Sequence, residues 1–209
     1  MTDYREGIAM NTRVTVRGSR RLATLGAVIS FGLITLSAAP AHATMFQKVE
    51  PYSGVDVQDF DACGLSIHDV FTFSGKFSIR SGKGDLTTAF FGHNNFSNLD
   101  TLTNTANGKF FTISADGLNL DVRATHVEGS IFQFVTNTVG QPFVVRDMSG
   151  AVVLRDRGAI SETYLFDTGG DNVPGGTFLE DISVRVSGPH PGFFLDDAGF
   201  CALVLDLIG

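Results

Sequence analysis

Residues 65–80 read LSIHDVFTFSGKFSIR, and this stretch decides the fold class. Leu65, Ile67, Phe71, Phe73, Phe77 and Ile79 share one parity, while His68, Thr72, Lys76 and Arg80 share the other. An apolar period of two belongs to a half-buried β-strand, whose successive side chains point to opposite faces. Gly75 interrupts the run and predicts a bend or bulge.

Working outward, the same period recurs with turn residues between the runs. Asn107-Gly108 predicts a type I′ hairpin turn between strands at 99–104 and 109–114, and Asp116-Gly117 predicts a second turn soon after. Leu118, Leu120, Val122 and Ala124 alternate with Asn119, Asp121 and Arg123. Ile131, Phe132, Phe134 and Val135 follow Gly129. Residues 143–146 and 152–155 flank the turn at 147–150, residues 160–166 and 178–186 flank a Gly-rich loop at 169–176, and 201–207 is read as the last strand. None of these runs shows a 3.6-residue period over three turns. The expectation is an all-β domain of nine or ten strands: an antiparallel meander closed as an up-and-down β-barrel, with a β-sandwich as the alternative.

The N-terminal residues read as an export signal. Arg13, Arg17, Arg20 and Arg21 form a positive region, residues 22–36 are apolar, and Ala41-His42-Ala43 offers small residues at the cleavage positions. Asp3 and Glu6 are out of place in such a region, which favours a start at Met10. The apolar stretch is shorter than the about 20 residues a spanning helix needs, and no later segment could span a bilayer. Residues 1–43 are therefore expected to be a signal peptide, with the general secretory route favoured over the twin-arginine route for Arg20-Arg21. Residues 44–209 would form one secreted domain.

That domain carries ten basic and twenty acidic residues. Such a surface repels phosphate backbones and anionic headgroups, so nucleic acid is not an expected partner. Its two cysteines, Cys63 and Cys201, stand near its ends in an oxidising compartment and are expected to form a structural disulfide joining the first strand to the last. Closing so long a loop contributes roughly 4 to 5 kcal/mol through the entropy of the unfolded chain.

Asp61-Ala62-Cys63-Gly64, the run Thr103 to Lys109, Gly140-Gln141-Pro142, Arg157-Gly158 and Phe200-Cys201-Ala202-Leu203 resemble a group of uncharacterised secreted β proteins of actinobacteria. The resemblance spans nearly all of residues 44–209. This chain departs from it at Thr105, where proline is expected, and across 178–201. It implies secretion, a small β domain and one cysteine near each end, and brings no catalytic residue.

Signals for chemistry are sparse. His68, His93, His126 and His190 are not spaced as metal ligands, and His93 and His190 read as exposed loop residues. Asp167, Asp171 and Asn172 offer hard oxygen ligands, but in no recognised calcium loop, and Asp196-Asp197 reads as solvated. No cofactor or metal is expected, and no nucleophile elbow or phosphate loop occurs.

The chain is rich in Phe, with 19 against three Tyr and no Trp. Such residues fill a dry core without needing hydrogen-bond partners, or else line a cavity for a small hydrophobic ligand. On the second reading the lining comprises Phe71, Phe73, Phe77, Phe111, Phe132 and Phe134. The expected function is then a non-enzymatic secreted protein, binding a small apolar molecule or acting as an interaction module at the cell envelope. The alternative is a barrel isomerase or cyclase resembling allene oxide cyclase or dirigent proteins, with Asp69, Arg123, Glu128 and Glu162 pointing inward.

Overall fold

Among the described residues the chain forms eight strands, one α-helix and a short 3-10 turn at Gly84–Leu86: β1 (Gln47–Ala62), β2 (Leu65–Ser81), β3 (Phe90–Asn104), β4 (Phe110–Glu128), β5 (Ile131–Arg146), β6 (Val152–Arg155), β7 (Gly158–Asp167), β8 (Thr177–Ser187) and α1 (Asp197–Ile208). The computed structural model describes residues 47–86 and 88–209. The signal segment, the start at Met10 and the cleavage site at Ala43 lie outside them.

The strands make one antiparallel sheet in the order β1-β2-β3-β4-β5-β7-β8, with β6 paired to β5 beside that path. This is the expected meander, but the sheet is not closed. β1 and β8 are its two edges, and the barrel is corrected to an open sheet. The disulfide is present, with Cys63 and Cys201 joined, yet it does not tie the first strand to the last. Cys63 sits in the two-residue turn between β1 and β2, and Cys201 sits in α1. Cys63 and Gly64 both have positive φ, at 54° and 78°, as the turn that matches strand twist requires.

The helix replaces the expected final strand. Residues 197–208 are apolar on nearly every side, so no stripe distinguishes helix from strand in so short a run. Asp196 decides the matter locally. It is the N-cap, and its carboxylate accepts from the Gly199 N–H at 2.8 Å. At the other end the Ile208 carbonyl accepts from Asn104 Nδ2 at 2.8 Å and from Asn107 Nδ2 at 3.0 Å, and Lys109 Nζ donates to the Gly209 carbonyl at 2.7 Å. The run Thr103 to Lys109 thus holds the helix C-terminus, where carbonyls lack partners and a cation is favoured.

Several turn expectations change for related reasons. Asn107 has no positive φ, so the β3–β4 connection is a longer turn closed by Gly108, whose N–H donates to the Asn104 carbonyl at 2.8 Å. Asp116-Gly117 lies inside β4, paired with Gln141 and Gly140. A Cβ at Gly117 would strike the Val139 carbonyl, so this glycine permits close pairing and makes no turn. Gly75 is neither a bend nor a bulge. It pairs in register with Tyr52 and Phe96, and the Tyr52 ring lies where its Cβ would be.

Directly paired residues share a face. Following the register places Ile67, Asn104, Leu102 and Phe111 on one side of the sheet, and Asn94, Asn119 and Thr138 farther along that same side. α1 covers one end of this inner face, where Ile67, Phe111, Phe143, Val145, Val204 and Ile208 form a buried cluster. Ala89, Ala124, Phe132 and Phe134 form a second cluster at the other end, with Leu86 and Tyr164 against it. Between them lies a buried polar strip in which Asn119 donates to Thr138 at 2.8 Å and Asp121 accepts from Thr136 and from the Gly92 N–H.

The segment after β8 is clamped to the sheet. The Asp156 carboxylate accepts from the Gly192 and Phe193 N–H groups at 2.7 and 3.0 Å. His190, expected as an exposed loop residue, is 2 % exposed and donates from Nε2 to the Ser187 carbonyl at 3.2 Å. His93 is exposed as expected, but on strand β3.

Candidate functional site

The inner face of β1, β2 and β3 differs from both core clusters because, among the described residues, no helix lies over its middle. Here the register sets Tyr52 opposite Gly75, Gly54 opposite Phe73, Asp56 opposite Phe71 and Gln58 opposite Asp69. On the other flank, Phe73 faces Asn98, Phe71 faces Asp100, and Asp69 faces Leu102. The two glycines explain how the rings lie. A Cβ at Gly54 would enter the Phe73 ring and one at Gly75 would enter the Tyr52 ring, so each ring folds down across a residue without a side chain. The Tyr52 and Phe73 centroids are 6.4 Å apart, those of Phe71 and Phe73 are 5.4 Å apart, and both pairs are tilted by only 31 to 36°. The result is a half-buried aromatic floor.

Carboxylates stand at one end of this floor. Asp69 is 5 % exposed; its Oδ2 accepts from Gln58 Nε2 at 3.1 Å, and its Oδ1 has no hydrogen-bond partner among the described residues. Burial pushes its carboxyl above the usual range. Asp100, diagonal to it on β3, is pushed up to about 7, first by burial and then by the charge of Asp69. Asp56 completes the row across Phe71. At the far end, Tyr52 Oη donates to Asn94 Oδ1 at 2.8 Å. This site can therefore offer apolar ring faces beside two carboxyls whose pKa values burial raises.

The six phenylalanines proposed from sequence do not line one cavity. Phe71, Phe73 and Phe77 lie half-buried on the open part of the inner face. Phe111 is fully buried under α1, and Phe132 and Phe134 belong to the second core cluster. These three are packed core, which is the dry-core reading of the phenylalanine excess. A cleft of about 220 Å³ opens beside Ile79, Arg80, Phe91 and Asp121, away from the aromatic floor.

Of the four polar candidates, Asp69 and Glu162 lie on the inner face and Arg123 and Glu128 are exposed. Glu162, on β7, is raised above its ordinary value by burial and by Asp181. Three strands separate it from Asp69 in the sheet order, so the structure does not bring the two together. His68 pairs with Asp59 at 2.7 Å on the outer face, and His126 Nε2 donates to the Gly129 carbonyl at 3.0 Å. Asp167 and Asp171 accept from the N–H groups of Gly169 and Val173, so each closes its own loop turn.

Sequence reading missed Tyr52, Asp56, Gln58 and Asp100. A signal for Asp100 existed: it shares the parity of Phe96 and Leu102, an acid on an inward-facing row. Among known proteins, no family model, no curated protein and no solved structure matches this chain.

Proposed function

We propose that this chain is a secreted, non-enzymatic β protein that holds a small apolar molecule on the open part of its inner face; secretion is what its resemblance to the actinobacterial group implies, and the ligand reading rests on the site alone. One observation carries the reading. The aromatic floor of Tyr52, Phe71 and Phe73 belongs to neither core cluster, its rings are half-buried, and among the described residues no helix packs over it. Aromatic faces left half-exposed at adjacent positions are a binding surface in waiting, since each ring carries a large apolar area at low entropic cost. A closed barrel is not needed for this. Export agrees with the disulfide and with the fact that no helix among the described residues is long and apolar enough to cross a membrane.

The Asp69 and Asp100 pair favours a second reading, an isomerase or cyclase of the allene-oxide-cyclase or dirigent type, in which one carboxyl moves a proton. Native mass spectrometry of protein purified from its own source tests the first reading. A retained apolar ligand, or saturable binding of a hydrophobic dye lost in Phe73→Ala, is the expected result. A clean apo mass with no dye response overturns it, and conversion of an added substrate would move the assignment to the second.

A further inference from the structure

We propose that the ligand of this face is a cation: an apolar amine whose ammonium group sits among Asp56, Asp69 and Asp100 while its body lies on Phe71, Phe73 and Tyr52. The inference rests on the binding reading above and names the chemistry of its ligand. Its first support is the Oδ1 of Asp69, a carboxylate oxygen taken almost wholly out of water with no donor aimed at it among the described residues. Buried polar atoms are nearly always paired, and an exception at the edge of an open floor marks the place of a missing donor.

The second support is the sign of the surroundings. Gln58 brings the amide that Asp69 already uses, and Asp56 and Asp100 add only acceptors. Along the inward-facing rows of β1, β2 and β3 the one basic residue is Lys48, at the far end of β1 and paired with Glu50 at 2.6 Å. From β4 the neighbour of Asp100 is the apolar Ile113, α1 turns Val204 and Ile208 downward, and His68 on the outer face is held by Asp59. A set of carboxyls that no cation among the described residues faces is complementary to a ligand that supplies one. The third support is the floor itself, because the faces of aromatic rings attract an ammonium group as well as an apolar body.

A neutral ring bearing hydroxyls could also satisfy Asp69, so the test compares three probes of one shape: 2-phenylethylamine, 2-phenylethanol and phenylacetate. Binding to the whole protein would be followed by calorimetry and by amide chemical shifts. At pH 8 the amine is expected to bind at least about tenfold more tightly than the alcohol, which is ~1.4 kcal/mol, and phenylacetate more weakly than either. Asp69→Asn and, separately, Asp100→Asn should abolish the amine's advantage over the alcohol. The advantage should also shrink from pH 8 to pH 5 as Asp100 takes up its proton. Equal binding of alcohol and amine, or an amine preference that survives both substitutions, overturns the cationic ligand and leaves the apolar-ligand reading standing. If no probe binds and none shifts an amide of the floor, both readings fall.

Discussion

Replacing Cys63 by serine removes a cross-link that closes a loop of 138 residues. Loop-closure entropy of that size gives about 5 kcal/mol, most of it by restricting the unfolded chain. The native side of the balance changes little. Serine at Cys63 meets the same positive φ of 54°, so the turn is neither relieved nor further strained. α1 keeps Val204 and Ile208 in the core and its C-terminal bonds to Asn104 and Asn107, so the variant should still fold at room temperature with its helix docked. A domain of this size loses roughly 2 to 4 °C in Tm per kcal/mol, which places the fall at roughly 10 to 20 °C. Thermal unfolding followed by far-UV circular dichroism, with Cys63→Ser, Cys201→Ser and the double variant side by side, measures it. The three should agree within about 1 kcal/mol, because each deletes the same constraint. A fall of only 2 or 3 °C would refute the entropic account. A double variant much weaker than either single one would show that the two thiols contribute separately.

The Asp100 carboxyl has a folded value of about 7 against 3.8 for the free side chain, so the folded state binds the proton more tightly. Its contribution to stability is full below pH 4 and is lost as pH rises to 7. Asp100→Asn should therefore exceed wild type at pH 8, by about 1 to 3 kcal/mol once solvent screening is discounted, and match it near pH 4, as urea midpoints at the two pH values will show. Phe111→Ala opens a hole beneath α1 and should cost about 3 to 5 kcal/mol by denaturant unfolding. Asn104→Ala strips one of the two donors from the Ile208 carbonyl, leaving Asn107, and removes the acceptor of the Ala106 N–H; it should cost about 1 to 3 kcal/mol, with faster hydrogen exchange in the last turn of α1.

The period of two across residues 65–80 is enough to make β2, because alternation depends only on neighbours along the chain. The strand pairs at 143–146 with 152–155 and at 160–166 with 178–186 were legible for the same reason, with glycine-bearing turns between them. β1 was not. Its inward positions are Tyr52, Gly54, Asp56 and Gln58, while Val49, Val55 and Val57 stand exposed on the outer face, so the apolar pattern that signals a strand is faint. α1 was also hidden, since an apolar run with no polar side has no period to read.

Cysteine count and spacing determined that Cys63 and Cys201 would pair. Only the packed structure decided that this bond joins a hairpin turn to a helix and leaves the sheet open. The aromatic floor and its acids belong to the same second category. Phe71, Phe73 and Asp69 were visible as residues of one strand, but Asp100 reaches them only through the β2–β3 register, and Gly54 and Gly75 matter only because rings from a neighbouring strand lie across them. Local periodicity is a property of the chain, whereas register, closure and the burial that holds a proton on Asp100 depend on which distant segments meet.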